Sequence, residues 1–202
     1  MIEIIFGTKN PAKVEHVRVA LEPFGIKVRD LTGFEDLPEV DEDGETPEEN
    51  AEAKARAYCQ SIGRPVLAMD NALYLDGLPD NLQPGTHVRR IPGHSGRPSD
   101  VEALEYYKKL IDEHGGTMTG HWKFALCLVF PSGQLKKATA ISKIREFRSR
   151  GTSKMMPGYP LESIQFDPES GKFIAEMTKA ESDKLLAKSI EKELKEIFDS
   201  QS

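Results

Sequence analysis

The chain has few cysteines, no long apolar run and no concentration of positive charge. Its two cysteines, Cys59 and Cys127, do not form a C-x-x-C pair, so we expect a reduced intracellular setting instead of a disulfide-stabilised fold. The longest apolar run, residues 124–130, is far too short to span a bilayer. The first residues also lack the basic and apolar regions of a signal peptide. These absences predict a soluble, cytoplasmic protein with no membrane partner.

The charge balance argues against a protein that binds nucleic acid mainly through its phosphates. The formal net charge is −6 and the isoelectric point is near 5.5, with no block of lysine or arginine. A local pocket can still bind a small polyanion together with its own metal ion. The chain has no Gly-x-Ser-x-Gly motif, and its five histidines show no metal-ligand spacing. Serine nucleophiles and histidine-based metal sites therefore have no support.

The segment Thr8 to Lys13 carries the strongest local signal in the chain. It follows a short apolar run with Gly7 as the break, and it precedes apolar residues at helical spacing. Asn10 suits the N-cap of a helix and Pro11 suits its first turn. Thr8, Asn10 and Lys13 would then surround the positive end of a helix, where a polyphosphate binds well. The alternative is that Asn10 only caps the helix and that Lys13 is solvated.

The remaining pattern predicts strands that alternate with helices in the first half of the chain and a hairpin in the second. This indicates an α/β fold with a mixed central sheet flanked by helices, in one domain over residues 1–202. We predict strands at 27–31, 65–70 and 172–177, a hairpin with arms 121–130 and 135–147, and helices that follow Asn10, begin at Thr46, span 100–114 and begin after Thr178.

Carboxylates are concentrated before the second predicted helix, and one more ends the strand predicted at 65–70. In the acidic loop 34–45, residues 39–45 include five closely spaced acids: Glu39, Asp41, Glu42, Asp43 and Glu45. One or two of these, with Asp70, can hold Mg²⁺, which prefers oxygen ligands and shares them with substrate phosphates. The alternative is that the loop is solvated charge. Asp70 is expected at the carboxyl end of a buried strand, where a carboxylate is costly unless paired or liganded.

Four motifs in this order resemble the inosine triphosphate pyrophosphatase family, which removes deaminated purine nucleoside triphosphates. The motifs are Thr8-x-Asn10-x-x-Lys13, Glu42-x-Gly44-x-Thr46-x-x-Glu49-Asn50-Ala51 with Lys54-Ala55 close behind, Ala68-x-Asp70-x-x-Leu73, and Pro84-Gly85 followed by Arg90. They cover the amino-terminal half well and are specific as a set. A weaker match continues through Gly158-Tyr159 and Ala175-Glu176.

The resemblance implies an elongated α/β fold with two lobes and a substrate cleft between them, commonly as a homodimer. It also implies Mg²⁺-dependent attack of water on the α-phosphate of a nucleoside triphosphate, which yields a monophosphate and pyrophosphate. By this resemblance, Thr8, Asn10 and Lys13 bind phosphates, and Glu42 ligates the metal. Asp70 either binds the metal or orients and deprotonates the attacking water, and Lys13 assists by stabilising the leaving pyrophosphate.

The same resemblance makes Arg90 and Tyr159 candidate substrate-binding residues, but other positions depart from the family pattern. Met69 replaces one of two adjacent carboxylates, and Pro157 replaces an aromatic residue that would stack on the base. The departures that remain are Pro160 in place of an aspartate, Ser182 in place of a lysine, and Leu186-Ala187-Lys188 in place of the Ser-His-Arg that reads the base.

The phosphate and metal residues are thus mostly kept, and the base-reading residues are mostly lost. We therefore predict a divergent family member, a Mg²⁺-dependent nucleotide hydrolase with altered base specificity. One alternative is a nucleotide-binding protein on the same scaffold with weak or no catalysis. Another is a phosphatase that acts on a different phosphorylated metabolite. Whether Glu45 or Glu49 replaces the carboxylate missing at Met69 is open at this point.

Overall fold

A computed structural model describes residues 2–199, in which the chain forms eight β-strands and four α-helices. The strands are β1 (Ile2–Phe6), β2 (Ile26–Arg29), β3 (Val66–Leu75), β4 (Thr117–Val129), β5 (Leu135–Ile141), β6 (Arg145–Arg148), β7 (Gln165–Asp167) and β8 (Lys172–Phe173). The helices are α1 (Pro11–Leu21), α2 (Pro47–Ile62), α3 (Asp100–Glu113) and α4 (Lys179–Asp199).

The strands form one mixed sheet in the order β2-β1-β3-β4-β6-β7-β8, and β5 pairs with β4 outside this path. β1 is parallel to both β2 and β3, whereas β4 is antiparallel to β5 and β6. β7 continues the antiparallel part between β6 and β8. The predicted α/β class, with a mixed central sheet and flanking helices, is confirmed.

The chain divides into two compact units. The first contains the chain up to Ala72, Lys123–Ser142 and the chain from Asp183 onward, and the second contains Leu73–Trp122 and Lys143–Ser182. In the first unit, small and apolar side chains of α2 pack on β1, β3 and the second half of β4. In the second unit, α3 packs on the end of β3, the start of β4 and β6. The predicted single domain over residues 1–202 stays a prediction.

A capping box sets the start of α2, as predicted. Thr46 Oγ1 accepts the Glu49 N–H at 3.3 Å, and Glu49 Oε2 accepts the Thr46 N–H at 3.1 Å, which completes the capping box of α2. Gly63 ends α2 in the left-handed region, with φ +70°. α1 begins at Pro11, and a short 3₁₀ turn continues it to Gly25.

The predicted end of β3 at Asp70 is wrong, because the strand continues to Leu75. Its last residues have their own partners: the Gln83 side chain accepts the Leu75 N–H and donates to the Leu75 carbonyl, each at 2.8 Å. Leu73 also pairs with Gly85. Asp70 therefore lies inside a strand, three residues beyond Leu67, the last β3 residue in register with β1.

The second half of the sheet differs from the predicted hairpin in two places. β4 begins earlier, at Thr117, and the predicted second arm is divided into β5 and β6. β5 pairs with β4 from Lys123 to Val129, and β6 pairs with it from Thr117 to Gly120. The predicted last strand is also shorter: β8 covers only Lys172–Phe173, and a 3₁₀ turn follows at once. The sequence pattern predicts no strand at Gln165–Asp167, where β7 lies.

No helix within residues 2–199 is long and apolar enough to cross a membrane. The longest helix, α4, is amphipathic instead: its inward residues Ile190, Leu194 and Ile197 are buried, whereas Leu185 and Leu186 are only half-buried. One buried apolar stripe on an otherwise polar helix is the pattern of an amphipathic helix that packs on a core.

A buried polar pair joins α1 to α4 in the first unit. His16 Nε2 lies 3.0 Å from Asp183 Oδ1, and both side chains are buried. We expect Asp183→Ala to lower the free energy of unfolding by about 2 kcal/mol, because His16 then loses its buried hydrogen-bond partner. Urea denaturation followed by circular dichroism measures this. Glu15→Ala, which removes an exposed pair with Arg18 on α1, should change stability by less than about 0.5 kcal/mol. Equal effects of the two changes would contradict the expectation.

Candidate active site

The turn between β1 and α1 brings the chain sharply into the amino end of a helix. The Gly7 N–H donates to the Leu67 carbonyl at 2.8 Å, which holds the turn on β3. A Cβ at Gly7 would lie 2.8 Å from Cδ2 of Tyr58, so this close approach requires glycine. Thr8 Oγ1 accepts the Asn10 N–H at 3.2 Å. Residues 8–10 therefore form an ordered turn at the positive end of α1, whose first turn contains no acidic residue.

Lys54 of α2 is the centre of a group of charged side chains in the first unit. Its Nζ donates to Glu42 Oε2 at 2.8 Å, to Asp70 Oδ1 at 3.1 Å and to the Met69 carbonyl at 3.2 Å. Lys54 and Asp70 are each only 6% exposed, whereas the Glu42 side chain is about half exposed. A lysine is rarely buried this deeply unless it is paired. The three contacts complete the hydrogen-bonding capacity of the ammonium group.

Asn50, one turn before Lys54 on the same face of α2, holds the other oxygen of Asp70. Asn50 Nδ2 donates to Asp70 Oδ2 at 3.0 Å, and its Oδ1 accepts the Gly44 N–H at 2.8 Å. A Cβ at Gly44 would lie 2.7 Å from that Oδ1, so only glycine lets the loop approach α2 this closely. The loop that carries Glu42 is thus tied to the helix that orients Asp70.

Two positive charges act on Glu42. Burial works to raise the pKa of Glu42, but attraction to the ammonium groups of Lys54 and Lys13 outweighs it, so the pKa lies below its usual value. Lys13, Glu42, Lys54 and Asp70 therefore form one charge cluster, which we call the Lys54 cluster.

The structure brings together five of the seven predicted site residues in the first unit. Glu42 and Asp70 meet at Lys54, the charge of Lys13 acts on Glu42, and Thr8 and Asn10 form the turn that leads into the helix of Lys13. The other two, Arg90 and Tyr159, lie in the second unit. There the Arg90 N–H donates to the His87 carbonyl, and the Tyr159 N–H donates to the Met156 carbonyl. The roles of all seven residues stay predictions.

Sequence reasoning assigned no role to Asn50 or Lys54, although both stand in the second motif. Their i, i+4 spacing on the inward side of α2, directly after an acidic loop, was the available signal. Of the two glutamates that could replace the carboxylate missing at Met69, Glu49 already uses its carboxylate to cap α2. In the described residues, no three His, Cys, Asp or Glu side chains come together as a metal site. Glu42 and Asp70 are therefore the carboxylates available to a cation in the Lys54 cluster.

Comparison with known proteins assigns the family. The model of the Ham1 family matches residues 4–190, which is most of the chain. The chain belongs to the Ham1 family. The predicted membership of the inosine triphosphate pyrophosphatase family is thereby confirmed.

Two relatives and a solved structure resemble the chain over nearly its full length. A protein named dITP/XTP pyrophosphatase from Geobacillus kaustophilus strain HTA426 is 32% identical over 191 residues, which cover 92% of this chain and 88% of the relative. One of the same name from Exiguobacterium sibiricum is 31% identical over 182 residues, which cover 89% of this chain and 88% of the relative. A solved Ham1 structure from Coxiella burnetii has a TM-score of 0.76 at 22% identity, covering 99% of this chain and 100% of that one, which shows a shared fold.

Proposed function

We propose that the chain is a divalent-metal-dependent hydrolase that cleaves a nucleoside triphosphate into a monophosphate and pyrophosphate. The predicted enzyme class, a hydrolase acting on nucleoside triphosphate anhydride bonds, is confirmed by the curated relatives. The observation that carries the rest of the proposal is the meeting of Glu42 and Asp70 on one buried ammonium group, with Glu42 also under the charge of Lys13 from the first turn of α1.

The phosphates are proposed to bind at the turn before α1. The helix dipole makes this end positive, and Thr8 and Asn10 add side-chain donors. Lys13 lies in the first turn of α1 and supplies a full positive charge. These groups stabilise the negative charge that develops on the leaving pyrophosphate.

Glu42 and Asp70 are the proposed ligands of the metal ion. Their carboxylate oxygens suit a hard divalent cation such as Mg²⁺, and they already share one cation, the Lys54 ammonium. When bound, such an ion neutralises phosphate charge and lowers the pKa of water. Mg²⁺ ordinarily takes one or two protein carboxylates and completes its coordination with substrate phosphates and water, so two ligands suffice.

Asp70 is the proposed residue that orients and deprotonates the attacking water. Asn50 and Lys54 each hold one of its oxygens, so the carboxylate has a fixed direction. Met69 does not remove a group from this cluster. Adjacent strand residues point to opposite faces, and the Met69 side chain is 1% exposed in the core. Only its carbonyl reaches Lys54.

Base recognition is proposed to differ from that of the dITP/XTP pyrophosphatases. Arg90 and Tyr159 are the candidate substrate-binding residues of the second unit, but the residues around Tyr159 depart from the family pattern at Pro157 and Pro160. Ser182 is buried in the first turn of α4, where its N–H donates to the Thr178 carbonyl, so it offers no charge in place of lysine. Loss of donors that read a base relaxes or changes selectivity.

A panel of standard and deaminated nucleoside triphosphates, assayed with Mg²⁺ for pyrophosphate and for orthophosphate, tests the proposal. We expect pyrophosphate release from at least one triphosphate and none after chelation of the metal. Orthophosphate without pyrophosphate would indicate a phosphatase instead. A nucleotide-dependent rise in melting temperature without any product would indicate a binding protein. Light scattering on the same sample tests the homodimer that the family resemblance implies.

A further inference from the structure

A tight turn in the second unit presents Tyr159. The Tyr159 N–H donates to the Met156 carbonyl at 2.9 Å, and Gly158 has φ +82° after Pro157. This is the pattern of a type II turn, with proline at the second position and glycine at the third. The turn uses its first and last residues for its own hydrogen bond. The N–H of Gly158 points elsewhere and needs a separate acceptor.

That acceptor is Asp100, the first residue of α3. Asp100 Oδ2 accepts the Gly158 N–H at 2.7 Å, and Oδ1 accepts from Arg89 Nη1 at 2.6 Å. Arg89 Nη2 also donates to the Pro98 carbonyl at 3.0 Å, which holds the guanidinium in place. Both contacts of Asp100 are short and charge-assisted, the stronger class of protein hydrogen bond. One carboxylate thus joins two segments of the second unit that are 58 and 11 residues away in sequence.

The electrostatics favour the ionised form of this link. Burial works to raise the pKa of Asp100, but the Gly158 N–H and the Arg89 guanidinium, with a further contribution from Arg97, hold it below its usual value. Asp100 also occupies the positive end of α3, where a negative charge is favoured. Asp100 is therefore charged throughout the neutral pH range.

We infer that Asp100 is a positioning residue, which fixes the turn of Tyr159 relative to the segment of Arg90 and so sets the affinity for the nucleoside part of the substrate. Each partner of Asp100 is the direct chain neighbour of a candidate substrate residue: Arg89 precedes Arg90, and Gly158 precedes Tyr159. The inference rests on the proposed function. It assigns Asp100 no contact with the reacting atoms.

Asparagine at position 100 cannot replace the link. It has one acceptor oxygen, and its amide nitrogen is a donor that would face the N–H of Gly158 or the guanidinium of Arg89. One hydrogen bond and the charge are lost, while the size of the side chain is kept. We therefore expect Asp100→Asn to raise KM for the best triphosphate of the panel about tenfold and to leave kcat within about threefold.

The experiment compares Asp100→Asn and Arg89→Ala with the native chain, using kcat, KM and the inhibition constant of pyrophosphate. Arg89→Ala should raise KM in the same direction, because it removes the other half of the link. The inhibition constant of pyrophosphate should stay within twofold in both variants, since pyrophosphate has no nucleoside part. Asp112→Asn is the matched control: it lies on the same helix and accepts one hydrogen bond from Ser149, and it should change none of these values.

The possible outcomes separate the two proposals. No turnover by the native chain would overturn the proposed function, and the role of Asp100 would fall with it. Turnover by the native chain with an unchanged KM in a folded Asp100→Asn variant would overturn the role of Asp100 alone. A parallel loss of kcat and of pyrophosphate inhibition would show general damage to the structure and would also overturn it. If Asp100→Asn does not fold, Arg89→Ala decides the matter by the same criteria.

Discussion

Asp70→Asn is expected to lower kcat for pyrophosphate release about a thousandfold, the range typical for loss of a general base. Asparagine keeps the size of the side chain and an oxygen that accepts from Asn50 or Lys54, so the fold should persist. It cannot take a proton from water, and it is a weaker ligand for a divalent cation. The measurement is steady-state pyrophosphate release with Mg²⁺, together with a melting curve of the variant.

The control for this change is Asp41→Asn, which removes an exposed carboxylate from the loop of Glu42. Its kcat should stay within twofold of the native value. An Asp70→Asn variant that folds and keeps more than a tenth of the native kcat would contradict the proposed role of Asp70. A variant with a much lower melting temperature would instead show that Asp70 mainly supports the fold.

Lys54→Met is expected to have the largest effect on stability. It leaves Asp70 buried without its ammonium partner and next to the negative charge of Glu42, which should cost about 3 kcal/mol of unfolding free energy. Activity should also fall, by about a hundredfold, because Asp70 loses one of the two groups that orient it. Added Mg²⁺ should raise the melting temperature of this variant more than that of the native chain, since the two carboxylates can then share the metal ion.

Lys137→Met is the matched control, because the ammonium of Lys137 pairs with Glu52 in the same unit but lies at the surface. We expect a change below about 1 kcal/mol and no added response to Mg²⁺. Equal stability of Lys54→Met and the native chain would mean that Asp70 does not need the Lys54 ammonium as a partner. An equal response to Mg²⁺ in both proteins would count against Glu42 and Asp70 as metal ligands.

The helix boundaries were accessible from sequence because their causes are local. Thr46, Pro47 and Glu49 lie within four residues of one another, and together they satisfy the free N–H groups at the start of α2. Pro11 begins α1 at the predicted position, because proline suits the first turn of a helix. The position of Asp70 was predicted wrongly because the reason β3 continues lies elsewhere. Gln83 and Gly85 hydrogen-bond the last residues of that strand, and no local pattern at Asp70 reports this.

The family, the α/β class, the charge of the chain and the turn at Thr8 to Lys13 could be predicted from the amino-acid sequence, because they follow from motif order, composition and hydrophobic period. Which charges meet could be read only from the folded chain. Lys54 binds residues 12 and 16 positions away, and Asp100 binds Gly158 across 58 positions. Such contacts form because buried charges must find partners wherever the packed backbone brings them, and sequence spacing does not record that path.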